Sequence, residues 1–221
     1  MATLRVDMHL HTARSFDCLS QPERVLQAAA ERGIDRLCIT DHNEIAAALR
    51  LAETYPERVI VGEEVKTAER VDVIGLYLHT LIPKGTPARE TCERIHEQGG
   101  LVYMPHPYAG GKGGDGRLLD ELADLIDIVE VFNARLHKME LNQRAAEWAA
   151  AHDKPGGAGS DAHTLAEIGR AHVIVDEHEH SAPGFLRALR SARVQGTTTP
   201  RSAHLASTYA KLHKVIFKAD A

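Results

Sequence analysis

Thiols are scarce in this 221-residue chain: Cys18, Cys38 and Cys92 are odd in number, widely spaced and form no Cys-x-x-Cys pair. A disulfide framework and a thiolate zinc site are therefore not indicated, and a reducing cytosol is the simplest home. No apolar run approaches the ~20 residues of a membrane span. No N-terminal stretch joins basic residues to an apolar run, so a soluble, cytoplasmic protein is expected. One-sided charge is missing as well: 26 Lys and Arg stand against 31 Asp and Glu, a formal net charge of -5 with no long block of either sign. Neither a nucleic-acid tail nor a basic membrane face is indicated, so no nucleic-acid or membrane partner is expected. Small or acidic substrates stay open, because a bound cation can reverse the sign of a pocket. No linker, repeat or low-complexity stretch divides the chain. Its length fits one α/β domain, 1–221, that buries roughly 70% of its unfolded surface, with 197–221 as a closing segment.

Histidine is abundant, with fourteen copies, although it is not among the residues that globular domains use most. Runs rich in Val, Ile and Leu predict strands at 4–10, 36–40, 59–63, 71–78, 100–104, 127–131, 155–160 and 171–175. Between them "SQPERVLQAAAERG" predicts a helix with Ser20 as cap, Glu23 at the capping-box position and Gly33 as stop. Further helices are predicted at 43–53, 87–98, 117–125, 138–152 and 184–193. Strand–helix alternation argues for a parallel or mostly parallel barrel or sheet.

The histidines fall at strand ends. His9 and His11, which share a face only on a strand, close the first. Asp41 and His42 follow the second, Glu63 and Glu64 the third, His106 the fifth, Asn133 and Arg135 the sixth, Asp161 and His163 the seventh. In parallel barrels and doubly wound sheets the C-terminal strand ends converge on one rim, where active sites are built. A single His at such a place is usually solvated or hydrogen-bonded, but a whole set of buried imidazoles and carboxylates on one rim is undercoordinated without cations. Nitrogen and oxygen ligands without thiolates suit Zn, Mn or Fe.

"MHLHTARSFD", "ERGIDRLCITDHN", "VGEEV", "MPHP" and "GSDAH", in this order, resemble the polymerase-and-histidinol-phosphatase family, the PHP domain, over roughly the first 170 residues. "VGEEVKT", "VIGLYL" and "QGGLVYMPHPY" look closest to its small bacterial branch of predicted metal-dependent phosphoesterases, some of whose relatives are linked to carbamate hydrolysis. The resemblance implies a distorted (β/α)7-type barrel related to the amidohydrolases, with two or three divalent ions (Mn, Fe or Zn) at the C-terminal rim. It also implies that His9 and His11 hold one ion with Glu64 and Asp161, that Glu64 bridges to a second held by His106, and that Asp17, His42 and His163 hold a third. Relatives commonly carry a His where this chain has Asp72. His79, at the far end of the same strand, could pass for the displaced ligand. Only seven residues separate Glu64 from Asp72, too few for a parallel crossover, so an antiparallel hairpin turning near Ala68 and Glu69 is expected. It leaves Asp72 opposite Glu64 or one register step away, and carries His79 to the other end of the barrel. Asp72 is thus the expected replacement ligand, favouring a harder cation such as Mn or Fe.

Two cations that share a carboxylate make hydroxide available near neutral pH and align an ester against it, so no protein nucleophile is required. Asp41 reads either as a partner that orients an imidazole or as the cap of the helix from Asn43. Arg135, Asn133 and His204 are candidates for the phosphoryl oxygens or leaving group, Arg135 because guanidinium matches phosphate bidentately, and Asn133 reads alternatively as a support behind the metal ligands. The expected function is a hydrolase of a small phosphoester, with the oligomeric state open. Three rival readings stand beside it: a carbamate or amide hydrolase of the same fold, a metal-binding domain without catalysis, and a nucleotide-binding module. The last rests on "GKGGDG", 111–116, which satisfies G-x-G-x-x-G with Glu130 ending the next strand. Five residues intervene between strand and glycines, however, and a flap beside the metals is the better reading.

Overall fold

The apolar runs do become strands, and the amphipathic stretches between them helices. The computed structural model describes residues 2–110, 114 and 116–217. In chain order it has β1 (Thr3–Leu10), α1 (Pro22–Glu31), β2 (Arg36–Ile39), α2 (Ala46–Thr54), β3 (Val59–Lys66), β4 (Asp72–Leu76), α3 (Ala88–Glu97) and β5 (Leu101–Met104). There follow α4 (Arg117–Glu121), β6 (Ile128–Asn133), α5 (Met139–Ala151), β7 (Gly156–Gly159), β8 (Ala171–Asp176), α6 (Ala182–Leu189), β9 (Arg193–Gly196) and α7 (Ala203–Phe217).

The strands form one sheet in the order β7-β6-β5-β4-β3-β2-β1-β8-β9. Strands β1 to β3 run parallel, as do β5 to β7, while β4 is antiparallel to both neighbours. Beyond β1 the sheet continues antiparallel through β8 and β9. The ends of β1 and β7 nevertheless meet: the Asp161 amide donates to the His9 carbonyl at 2.7 Å and the His11 amide to Ala162 at 3.0 Å. The sheet is therefore a nearly closed, distorted barrel. Val6 and Met8 of β1, Cys38, Ile60, Ile74, Tyr103 and Ala158 join one buried cluster that crosses it, and the helices pack on its outside.

Three local expectations need correcting. Ser20 does not cap α1; the helix starts after Gln21 without a side-chain cap, because Pro22 at the first position already presets the backbone. The second helix begins at Ala46 rather than Asn43, since Asn43 turns left-handed (φ 52°) and its side chain accepts the Lys66 amide at 2.9 Å. Asp41 is accordingly not a helix cap. Arg193, predicted as the last residue of a helix, instead opens the edge strand β9, because the helix already stops at Leu189.

The hairpin of β3 and β4 turns through Thr67–Val71, where the Thr67 amide donates to Val71 at 3.0 Å. Glu64 faces Ile74 and Lys66 faces Asp72, so Asp72 lies two residues from the position opposite Glu64, one step further than expected but on the same face of the hairpin. His79 is exposed at the other end, its amide on the Gln98 side chain at 3.0 Å.

Candidate metal centre

Three imidazoles on the rim, those of His9, His11 and His163, are anchored through Nδ1 and aim Nε2 inward. His9 Nδ1 lies 3.0 Å from Glu130 Oε1. His11 Nδ1 lies 3.0 Å from Ser15 Oγ, whose own proton goes to Asp41 Oδ1 at 2.6 Å. That hydroxyl can then only accept from His11, so the His11 Nε2 lone pair is free. His163 Nδ1 meets the Asp161 carbonyl at 2.8 Å. The inward nitrogens gather around two carboxylates. Glu64 Oε2 lies 3.5 Å from His9 Nε2, 3.4 Å from His11 Nε2 and 2.8 Å from His42 Nδ1, and Glu64 Oε1 lies 3.2 Å from His106 Nε2. Asp161 Oδ1 lies 3.3 Å from His11 Nε2 and 3.7 Å from His9 Nε2. Asp17 Oδ1 lies 3.3 Å from His163 Nε2 and 3.5 Å from His42 Nε2.

Several of these atoms are buried without a hydrogen-bond partner: Asp17 Oδ1, His42 Nε2, Glu64 Oε2 and His163 Nε2. Their ligand atoms close three triads within 4.8 Å: His9, His11 and Asp161; His9, Glu64 and His106; His11, His42 and His163. Buried lone pairs left unsatisfied cost free energy, and divalent cations satisfy them, so the donor set fits the metals that the sequence implied. Two positions carry backbone strain toward the same end: His106 (φ 29°) and Asp161 (φ 51°) are left-handed.

Without cations, protons take their place. Burial opposes charge on His9, but Glu130, Asp161 and Glu64 outweigh it and push its pKa well above the ordinary value. His42 is pushed up to about 10, burial being outweighed by Glu64 and Asp17, and His106 is raised because Glu64 outweighs burial. Burial would raise Asp161 and Glu64, yet the neighbouring imidazoles hold both well below the carboxylate range. A cation can enter only as those histidine protons leave. Metal binding is therefore expected to release protons, and its affinity to rise steadily from mildly acidic to mildly alkaline pH. Calorimetric titration in buffers of different ionisation enthalpy checks this, and a pH-independent affinity would refute it.

The supporting shell contains residues that sequence reasoning missed. Glu130, fully buried, accepts from His9 and from Tyr103 Oη (3.2 Å), the His106 amide (2.7 Å) and Asn133 Nδ2 (3.0 Å). A carboxylate so engaged is unavailable to a ribose, which removes the acidic residue of the nucleotide-binding reading. Residues 111–113 and 115 of that loop lie outside the described residues. An acidic residue inside the apolar run "DIVEVF" was the available signal. Asp7 clamps β1 to the segment beyond β7, accepting from Ser160 (2.9 Å) and Gly169 (2.9 Å), and burial pushes its pKa up to about 6. Asp41 takes four hydrogen bonds, from the amides and hydroxyls of Thr12 and Ser15, and so orients His11 through Ser15 rather than touching an imidazole. Asn133 bridges Glu130 and Asp161 Oδ2 (3.3 Å); it steadies the acids instead of facing a substrate.

Above the rim lies a cleft of about 260 Å³, lined by Asp17, His106 and Asp161 below and by Arg135, His204 and Lys211 at its walls. Arg135 is braced by Glu167 (3.4 Å), Ser207 Oγ (3.0 Å) and His204 Nδ1 (3.3 Å). His204, Ser207 and Lys211 all come from α7, so the expected closing segment forms one side of the site. Lys211, not singled out in the sequence, puts Nζ 3.7 Å from Asp17 Oδ2. Asp72 is fully buried, with Lys66 Nζ 2.7 Å away. His79 is remote from the centre.

Residues 7–155 match the PHP domain family and residues 140–194 the PHP-associated family. The chain belongs to the PHP domain family. It is 32% identical over 188 residues to an uncharacterized protein of Methanocaldococcus jannaschii, covering 83% of this chain and 75% of that one. Among solved structures it resembles a two-domain protein of Bacteroides vulgatus containing a predicted PHP-like metal-dependent phosphoesterase. That likeness has a TM-score of 0.71 at 20% identity and covers 95% of this chain and 70% of that one. It also resembles Endonuclease Q, solved on a duplex with an abasic lesion, at TM-score 0.66 and 16% identity, covering 89% and 60%. Members of this family are metal-dependent hydrolases. Among the described residues no helix is long and apolar enough to cross a membrane.

Proposed function

We propose that this protein is a metal-dependent phosphoesterase acting on a small phosphorylated molecule. The observation that carries the proposal is the set of orphaned ligand atoms on the floor of a cleft whose walls are cationic. In this reading His9, His11, Glu64 and Asp161 hold one cation, Glu64 and His106 a second, and Asp17, His42 and His163 a third. Bound there, divalent cations would supply Lewis acidity and lower the pKa of a water toward neutrality. The chain's own residues do the rest: Arg135, fixed by Glu167 and Ser207, presents its guanidinium to a phosphoryl oxygen, with His204 and Lys211 beside it. The resemblance to Endonuclease Q makes nucleic acid a rival substrate. A cleft of about 260 Å³ walled by α7 favours a small one, since even drug-sized pockets usually exceed ~300 Å³. Metal analysis followed by a panel of phosphomonoesters, phosphodiesters, abasic duplex, carbamates and amides, with and without Mn, tests the proposal. Turnover confined to carbamates or amides would overturn it.

Arg135→Ala is expected to raise KM for an anionic phosphoester by about tenfold or more, the worth of a charged hydrogen bond, and to change a neutral ester far less. Lys211→Met, which leaves Glu167 paired, is expected to act in the same direction. Equal effects on both substrates would show that neither is a phosphate clamp.

Asp72 contributes its carboxylate to the site of Glu64 and His106 in this reading, with Lys66 holding it until a cation arrives. Burial and the Glu64 charge raise its pKa while His106 lowers it, which places it within electrostatic reach of both. Asp72→Ala is expected to lose about one bound ion per chain and His79→Ala none. The reverse result in metal analysis would reject the assignment.

A further inference from the structure

Helix α7 spends its inner face on the cleft and leaves its outer face apolar. Ser207 and Ala210 are its buried residues. Lys211 reaches Asp17, and Lys214 donates to the carbonyls of Ala13 and Ser15. On the opposite side Leu205, Tyr209, Leu212 and Ile216 are 71%, 61%, 59% and 62% exposed, with Val215 and Phe217 exposed beside them. Six large apolar side chains in fifteen residues expose on the order of 600 Å², the upper limit of what a monomer usually shows in one patch.

The four central residues are spaced 4-3-4, which is the a/d seam of a heptad and forms one straight stripe along the helix. Such a stripe is self-complementary: a two-fold axis sets the same residues of two copies against each other. Residues flanking it, Ala206, Thr208, His213 and Val215, bring no acid or lysine into the seam, so self-pairing meets no repulsion between formal charges. A lipid surface would instead need basic side chains turned outward beside the stripe, whereas both lysines of α7 turn inward and are engaged. Two copies together would bury roughly 1,200 Å², the lower end of a stable interface.

We infer that α7 is a homodimerisation helix, two copies packing through Leu205, Tyr209, Leu212 and Ile216 about a two-fold axis. Because the same helix carries His204, Ser207 and Lys211 into the cleft, pairing also braces the cleft wall from outside.

Sedimentation velocity of the full chain over a dilution series tests this. The wild type is expected to be dimeric at micromolar concentration and to dissociate on dilution. Leu205→Glu with Leu212→Glu is expected to be monomeric with unchanged circular dichroism and bound metal, and Leu81→Glu, exposed away from α7, to stay dimeric. Should the double variant not fold, Leu212→Cys serves. Leu212 lies near the middle of the seam, so this variant is expected to cross-link to its own copy under mild oxidation, whereas Leu81→Cys should not; the three native cysteines are buried. A wild type monomeric at every concentration, including one that sediments with anionic vesicles, a dimeric double variant, or a Leu212→Cys that fails to cross-link would each overturn the inference.

Discussion

His9→Ala is expected to lose about one bound ion and to abolish hydrolysis, while His163→Ala should lose a different ion. The separation is geometric in origin. His9 Nε2, with a single lone pair to give, lies 3.5 Å from Glu64 Oε2 and 3.7 Å from Asp161 Oδ1, whereas His163 Nε2 lies 3.3 Å from Asp17 Oδ1. The fold should survive both substitutions, because the strand ends are held by backbone hydrogen bonds from Asp161 and His11 to the facing strand. The apo protein should lose about 1–3 kcal/mol from the hydrogen bond to Glu130 left unmade. Asp161→Asn, which keeps the shape and removes the charge, should also abolish activity. Metal content by mass spectrometry, beside activity and thermal melting, checks all three; unchanged activity in both His9→Ala and Asp161→Asn would end the metal mechanism.

The second large effect is expected at Gly159, the last residue of β7. A Cβ there would stand 2.2 Å from His9 Cβ, 2.9 Å from the His9 backbone nitrogen and 2.8 Å from Glu130 Oε1. Backbone cannot move aside as a flexible side chain can, so Gly159→Ala must prise β7 from β1 where the barrel closes. Overpacking of this kind costs about 1–3 kcal/mol. The displaced His9 and Glu130 should cost metal affinity about 10–100-fold, as lost support of ligands does. Gly85→Ala is the control: its site is open, with nothing within 4 Å, and only its φ of +83° opposes a side chain. Wild-type melting and full metal content in Gly159→Ala would mean that β7 does not close on β1 as described.

Most of the metal-ligand candidates were legible because they are written locally, while Asp17, on the loop after β1, came only from the family resemblance. An imidazole or carboxylate directly after an apolar run sits at a strand end whatever the rest of the chain does, and parallel strands bring those ends to one rim. The hairpin that brings Asp72 near Glu64 was legible for a similar reason, since a connection of seven residues permits only a hairpin. What served those ligands was not legible. Glu130 lies inside an apolar run and fits a rival motif, because nothing local says that its neighbour is His9, 121 residues away. Asp41 reads as a partner of the imidazole beside it, yet it works through Ser15, on a loop that only the packing of β1 against β2 brings near. Lys211 looks like an ordinary helix residue until α7 folds back over the rim. Periodicity and composition thus determined which segments are strands and which residue types meet at their ends. The tertiary structure alone decided which carboxylate steadies which imidazole and what walls the cleft, because hydrogen bonds and ion pairs between residues far apart in sequence depend on barrel closure.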